Sequence, residues 1–99
     1  MNPTFIKALS LPKTIVTEYT YIEDVDDLIL GRFIRWVYTD ELTKLYPGGF
    51  LVSVDSKTNV VLCKNRNRFF TVAFEVAFVF QKMSLDERIV ERARTLTRS

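Results

Sequence analysis

The residues of this 99-residue chain best suited to binding chemistry are aromatic and basic. Arg32, Arg35, Trp36, Tyr38, Lys64, Arg66, Arg68 and Phe69 fall in two short stretches, RFIRWVY and KNRNRF. Exposed rings stack on bases while arginines hold phosphates, a combination that grips single-stranded nucleic acid. The same residues fit a blander arrangement, with Trp36 in a core and NRNR as a solvated hairpin tip. A net charge of +2 is too small to decide between the two. RFFTVAF lacks the glycine that the RNA-recognition signature needs.

Catalysis is poorly provided for. The chain has no histidine, so the usual proton shuttle near neutral pH is missing. Cys63 is the only cysteine; it lies in VVLCK, where a buried inert thiol is expected, and Lys64 beside it points to the opposite strand face. Pro47-Gly48-Gly49 reads as a turn rather than a phosphate cradle. The acidic group Glu23, Asp24, Asp26 and Asp27 lacks the ligand spacing and glycine of a calcium loop, and capping of a short helical turn by Asp24 explains it. The expectation is a non-enzyme with no catalytic residue, cofactor or metal.

These side chains must be positioned by β-structure. Residues 69–80, FFTVAFEVAFVF, alternate with a period of two. The even face, Phe70, Val72, Phe74, Val76, Phe78 and Phe80, is expected to form the core; the odd face is smaller, carries Glu75 and is expected to look away. A strand of that length spans roughly 40 Å, so it is expected to bend and serve two parts of a barrel. Further strands are expected at 14–22, 32–39, 50–55 and 60–64, with turns at 56–59 and 65–68. In the third of these, Phe50, Val52 and Val54 are expected inward and Leu51 outward. A turn of helix at 23–30 closes on Gly31, and Ser84 with Glu87 forms a capping box opening a C-terminal helix. The predicted fold is mainly β: a small SH3-like five-stranded antiparallel barrel with an acidic helical turn and a C-terminal helix. An OB barrel is disfavoured because no helix interrupts the strand meander. Residues 1–13 form an N-terminal arm, 14–83 the barrel domain, and 84–99 a helix packed on it.

Composition suits one globular domain, with 47% hydrophobic and 26% charged residues. Without a long apolar run the expectation is a soluble, intracellular protein. Residues 1–55 hold five Lys/Arg and eight Asp/Glu, a balance of −3, whereas 56–99 hold nine and four, a balance of +5. Such a split can steer an anionic partner or orient the chain in a complex, or merely reflect differently exposed faces. Phe5, Ile6 and Leu9 of the arm, with Phe69, Ala73, Ala77 and Val79 of the odd face, are candidate protein-interface residues. A protein partner or a homo-oligomer is therefore expected ahead of nucleic acid, with no membrane and no small-molecule substrate.

The runs LILGRFIRWV, GGFLVSVDSKTNVVLCKN and RFFTVAFEVAFVFQK together resemble small β-barrel proteins of large double-stranded DNA viruses. The likeness covers residues 24–82 and rests on pattern, an arginine beside an aromatic and a GGFL-like hairpin strand. It implies a structural or interaction module, a minor virion or capsid component, and brings no catalytic residues.

Overall fold

The structure, a computed structural model, describes residues 12–98; Phe5, Ile6 and Leu9 lie outside them. It opens on a helix, α1 (Lys13–Glu18), followed by β1 (Tyr19–Ile22), where the sequence predicts one strand over 14–22. Pro12 sets the helix entry, and the Ile15 N–H bonds to its carbonyl at 3.1 Å. The helical turn drops Ile15 into a fully buried position beside Tyr19. Burial here overrides the strand preference of the β-branched residues.

A 3-10 turn at Val25–Asp27 follows, with the Asp24 side chain accepting from the Asp26 N–H at 2.9 Å. It buries Val25 and half-buries Leu28, while Ile29 stays exposed. Then come β2 (Phe33–Tyr38), β3 (Gly49–Asp55), β4 (Val60–Asn65) and β5 (Arg68–Ala73). A second 3-10 turn (Phe74–Val76), β6 (Ala77–Lys82) and α2 (Leu85–Arg98) complete the described chain.

All strand pairs are antiparallel, in the order β1-β6-β2-β3-β4-β5. The sheet has six strands and does not close, which corrects the expected closed five-stranded SH3-like barrel. Its curl brings Val72 of β5 and Val79 of β6 into one core cluster, but β1 and β5 remain edges. That first cluster also holds Val25, Ile34, Trp36, Leu51, Val61, Cys63 and Ala77. A second, on the opposite face, joins Ile15, Tyr19, Val37 and Phe80.

The expected single run over 69–80 is broken by the 3-10 turn, and the break changes which parity faces inward. Before it, even-numbered Val72 enters the first cluster; after it, odd-numbered Ala77 and Val79 do, and Phe80 goes to the second. Phe70 and Val76, expected in the core, are 39% and 49% exposed. In β3 the alternation is also reversed: Leu51 is buried while Phe50 and Val52 are exposed. An irregular register between Leu51 and Ser53 then returns Val54 to the first cluster.

The capping box forms as read, with the Glu87 N–H donating to Ser84 Oγ (3.2 Å) and the Ser84 N–H donating to Glu87 Oε1 (2.8 Å). Arg32 pairs with Glu87 and Arg88 with Glu18, tying the first turns of α2 to the sheet and to α1. Its apolar residues Leu85, Ile89 and Val90 are nevertheless exposed rather than laid against the sheet. No helix among the described residues is long and apolar enough to cross a membrane.

Candidate functional site

The loop between β2 and β3 bends back over β2. The Tyr46 N–H donates to the Trp36 carbonyl (2.9 Å), and Leu45 bridges Val37. This lays the Tyr46 ring nearly parallel to the Trp36 indole, centroids 5.9 Å apart, and edge-on to Tyr38 at 5.0 Å. Arg35 Nε donates to the Tyr46 carbonyl at 3.0 Å, and Asn65 Nδ2 donates to the Gly48 carbonyl at 2.9 Å, so the loop is held from both sides.

Opposite stands the β4–β5 hairpin. Its two-residue turn places Arg66, not either asparagine, at a φ of 59°. The left-handed region costs a side-chain-bearing residue about 1–2 kcal/mol. Between loop and hairpin lies a groove of about 660 Å³, lined by Trp36, Tyr38, Tyr46, Pro47, Gly48, Asn65, Arg66, Asn67, Arg68, Phe70 and Thr71. Among the described residues, Arg66 and Arg68 are the only charged ones that line it. Lys44 adds positive charge behind it, its Nζ 4.7 Å from the Tyr46 ring centroid. The Tyr46 hydroxyl donates to Glu41 (3.1 Å); lost hydration and that carboxylate hold its pKa above the ordinary tyrosine value. Trp36 Nε1 is buried and lacks a hydrogen-bond partner among the described residues, an unsatisfied donor in a residue of the groove wall.

Of the predicted nucleic-acid residues, the structure brings Tyr38, Arg66 and Arg68 together along the groove; Trp36 lies in its wall but is 3% exposed, a core residue beneath Tyr46 with no face open to a base. Arg35 supports the loop from behind. Arg32 is spent on α2, pairing with Glu87 and donating to the Lys82 carbonyl at 3.3 Å. Lys64 lies on the other side of the hairpin, its Nζ 5.4 Å from the Phe69 ring centroid. Sequence reading missed Tyr46 and misplaced Phe70 in the core. The signal for Tyr46 was its position directly before Pro47-Gly48-Gly49, where a turn swings it back over β2.

Of the predicted interface residues, Phe69 and Ala73 are exposed. Ala77 and Val79 are core, because the 3-10 turn flips their parity. Phe69 instead ends a row across four strands: Phe33 opposes Phe50, Phe50 opposes Lys64, and Lys64 opposes Phe69. Phe50 and Phe69 in that row are more than half exposed.

Cys63 is fully buried, its Sγ donates to the Phe70 carbonyl at 3.7 Å, and burial pushes the thiol pKa up to about 11. Native Cys63 should therefore react with iodoacetamide at pH 8 on the order of a hundredfold more slowly than in urea. Equal rates would show the thiol to be accessible. Among the described residues no group of three or more His, Cys, Asp or Glu is placed to hold a metal.

Comparison with family models, curated proteins and solved structures returned no match. The groove must therefore be interpreted from its own chemistry.

Proposed function

We propose that this protein is a non-enzymatic interaction module whose groove binds single-stranded nucleic acid. The observation that carries this reading is the lining itself: the partly exposed rings of Tyr38, Tyr46 and Phe70, with two arginines as the only charges among the described residues that line it. Tyr38, Tyr46 and Phe70 supply faces and edges for bases, and Arg66 and Arg68 supply cations for the phosphates between them. The left-handed backbone at Arg66 fits this role, since local strain is tolerated where a side chain must be presented. A cationic ligand fits the rings but meets two arginines at the entrance.

The test is fluorescence anisotropy of a labelled oligothymidylate titrated at several salt concentrations. Two phosphate contacts predict a log–log salt slope of about −1.4. Arg66→Ala with Arg68→Ala should flatten that slope to near zero. Phe70→Ala should weaken binding by roughly tenfold at every salt concentration, a stacking loss of about 1–3 kcal/mol. Absence of binding at low salt ends the proposal.

A second reading is favoured by the row Phe33–Phe50–Lys64–Phe69, which faces away from the groove side of the hairpin. Contiguous exposed apolar surface marks protein contacts, and this surface supports a structural role, including that of a minor virion component as the sequence resemblance implies. Phe50→Ser with Phe69→Ser should then release a co-purifying protein partner and leave oligonucleotide affinity unchanged.

A further inference from the structure

We propose that the open edge of β5 is a self-association surface, pairing antiparallel with β5 of a second copy of this chain about a two-fold axis at Thr71. β5 pairs with β4 alone and ends the sheet. The hairpin turn closes on the Asn65–Arg68 pair, and the Phe74 N–H donates to the Asn59 carbonyl at 2.7 Å. The ladder to β4 therefore uses the even-numbered residues of β5. Phe69, Thr71 and Ala73 turn their backbone N–H and C=O groups to the open edge. Such an edge is a template for another strand, and monomeric proteins blunt it with proline, a bulge or charge. β5 has no proline and a regular register, and its one charge, Arg68, stands at the first of its six positions. β1, the other edge, is only four residues long.

Side chains identify the occupant as a second β5. With Thr71 on the axis, Phe69 of each copy opposes Ala73 of the other, and Phe70 opposes Val72. A ring then lies beside a methyl group on one face and beside a β-branched side chain on the other, while Thr71 meets Thr71. Cross-strand pairs of these kinds stabilise a sheet. Every outward residue is used in this register, for about six backbone hydrogen bonds. Phe69 and Phe70, both exposed in the single chain, leave water. The ends agree in charge. Arg66 and Arg68 stand at the start of β5, while Glu75 follows its last residue and shares a pocket with Glu23 and Asp24. A parallel pair sets arginine beside arginine and glutamate beside glutamate. The antiparallel pair sets the basic start of each strand beside the acidic end of the other. Its two-fold symmetry closes the assembly at two copies. Arg66 and Arg68 also line the groove, so a second copy and an oligonucleotide compete for them; association without nucleic acid tests the pairing apart from the groove.

One added strand pair is a small interface, so the dimer forms at concentrations on the order of 10–100 μM. Sedimentation velocity of the full chain across that range should show a shift from 11.6 kDa toward twice that mass. Thr71→Pro removes an N–H that the ladder to β4 does not use. It should raise the dissociation constant about tenfold or more while urea stability of the monomer stays near wild type. Amide exchange at Phe69, Thr71 and Ala73 should slow as concentration rises, with no such change at Phe70 and Val72. Arg68→Glu chains alone and Glu75→Arg chains alone should each dimerise more weakly than wild type, and mixing the two should restore the dimer. A wild-type monomer throughout the range, masses beyond two copies, odd-numbered amides indifferent to concentration, or single charge variants that dimerise as well as wild type overturn the proposal.

Discussion

Phe80→Ala should destabilise the protein by about 3–5 kcal/mol, enough to remove much of the stability of a small domain. Phe80 is fully buried and sits where three elements meet: β6, its neighbour β1 through Tyr21, and its neighbour β2 through Arg35. Its ring lies 5.7 Å from that of Tyr21, and the cluster around it contains Ile15, Tyr19 and Val37. Truncation removes the transfer energy of the ring and leaves a cavity that β-strands on both sides cannot collapse to fill. Phe74, which strict alternation would place on the same face, is only half-buried, against the first cluster. Phe74→Ala should cost about 2 kcal/mol, the smaller loss expected where a ring is already partly in water. Urea unfolding followed by Trp36 fluorescence measures both. Equal losses would show that the 3-10 turn does not divide the long segment into two faces.

Gly48→Ala should be comparably severe, at about 3–5 kcal/mol, and should also disable the groove. Gly48 has a φ of +86°, and a Cβ there would stand 2.0 Å from the Ile34 carbonyl oxygen and 2.9 Å from Arg35 Cγ. The first of those is backbone inside the sheet and cannot yield without opening β2. Gly31 provides the comparison, with a φ of +88° and nothing within 4 Å of its added Cβ. Gly31→Ala should cost only the left-handed strain of about 1–2 kcal/mol. The difference between the two variants isolates crowding from conformation. If both lose the same stability, the close approach of the loop to β2 is not what holds Tyr46 over Trp36. The Gly48 variant should also lose the Asn65–Gly48 hydrogen bond, and with it oligonucleotide affinity, whereas the Gly31 variant should keep it.

The candidate site was partly legible before folding. Arg66, Arg68 and Tyr38 stood out by residue type, in stretches that equally fit a solvated hairpin tip, and Trp36 from the same stretch went to the core. Arg32 and Lys64 belonged to the same list and ended elsewhere, one held by Glu87 and one over Phe69. Their placement depends on which strand face each occupies. Tyr46 comes from a loop, where no periodicity announces a direction, and only its backbone bond to Trp36 aims it.

For the fold, the sequence by itself determined the local pieces whose causes lie within a few residues. These are the hairpin at 56–59, in which the Asp55 carboxylate accepts from the Lys57 N–H (3.0 Å), the Asp24 cap, the Ser84–Glu87 capping box, and strands close to the predicted spans from β2 to β4. Only the tertiary structure decided what depends on distant partners. Ile15 adopts a helical turn because a buried cluster awaits it. Three residues coil at Phe74–Val76, and a pleat with a period of two resumes with its faces exchanged. The sheet gains its sixth strand because that turn divides the expected single run into β5 and β6, and it stays open, because pairing at an edge is settled by which strands meet in space and leaves no local mark on either one.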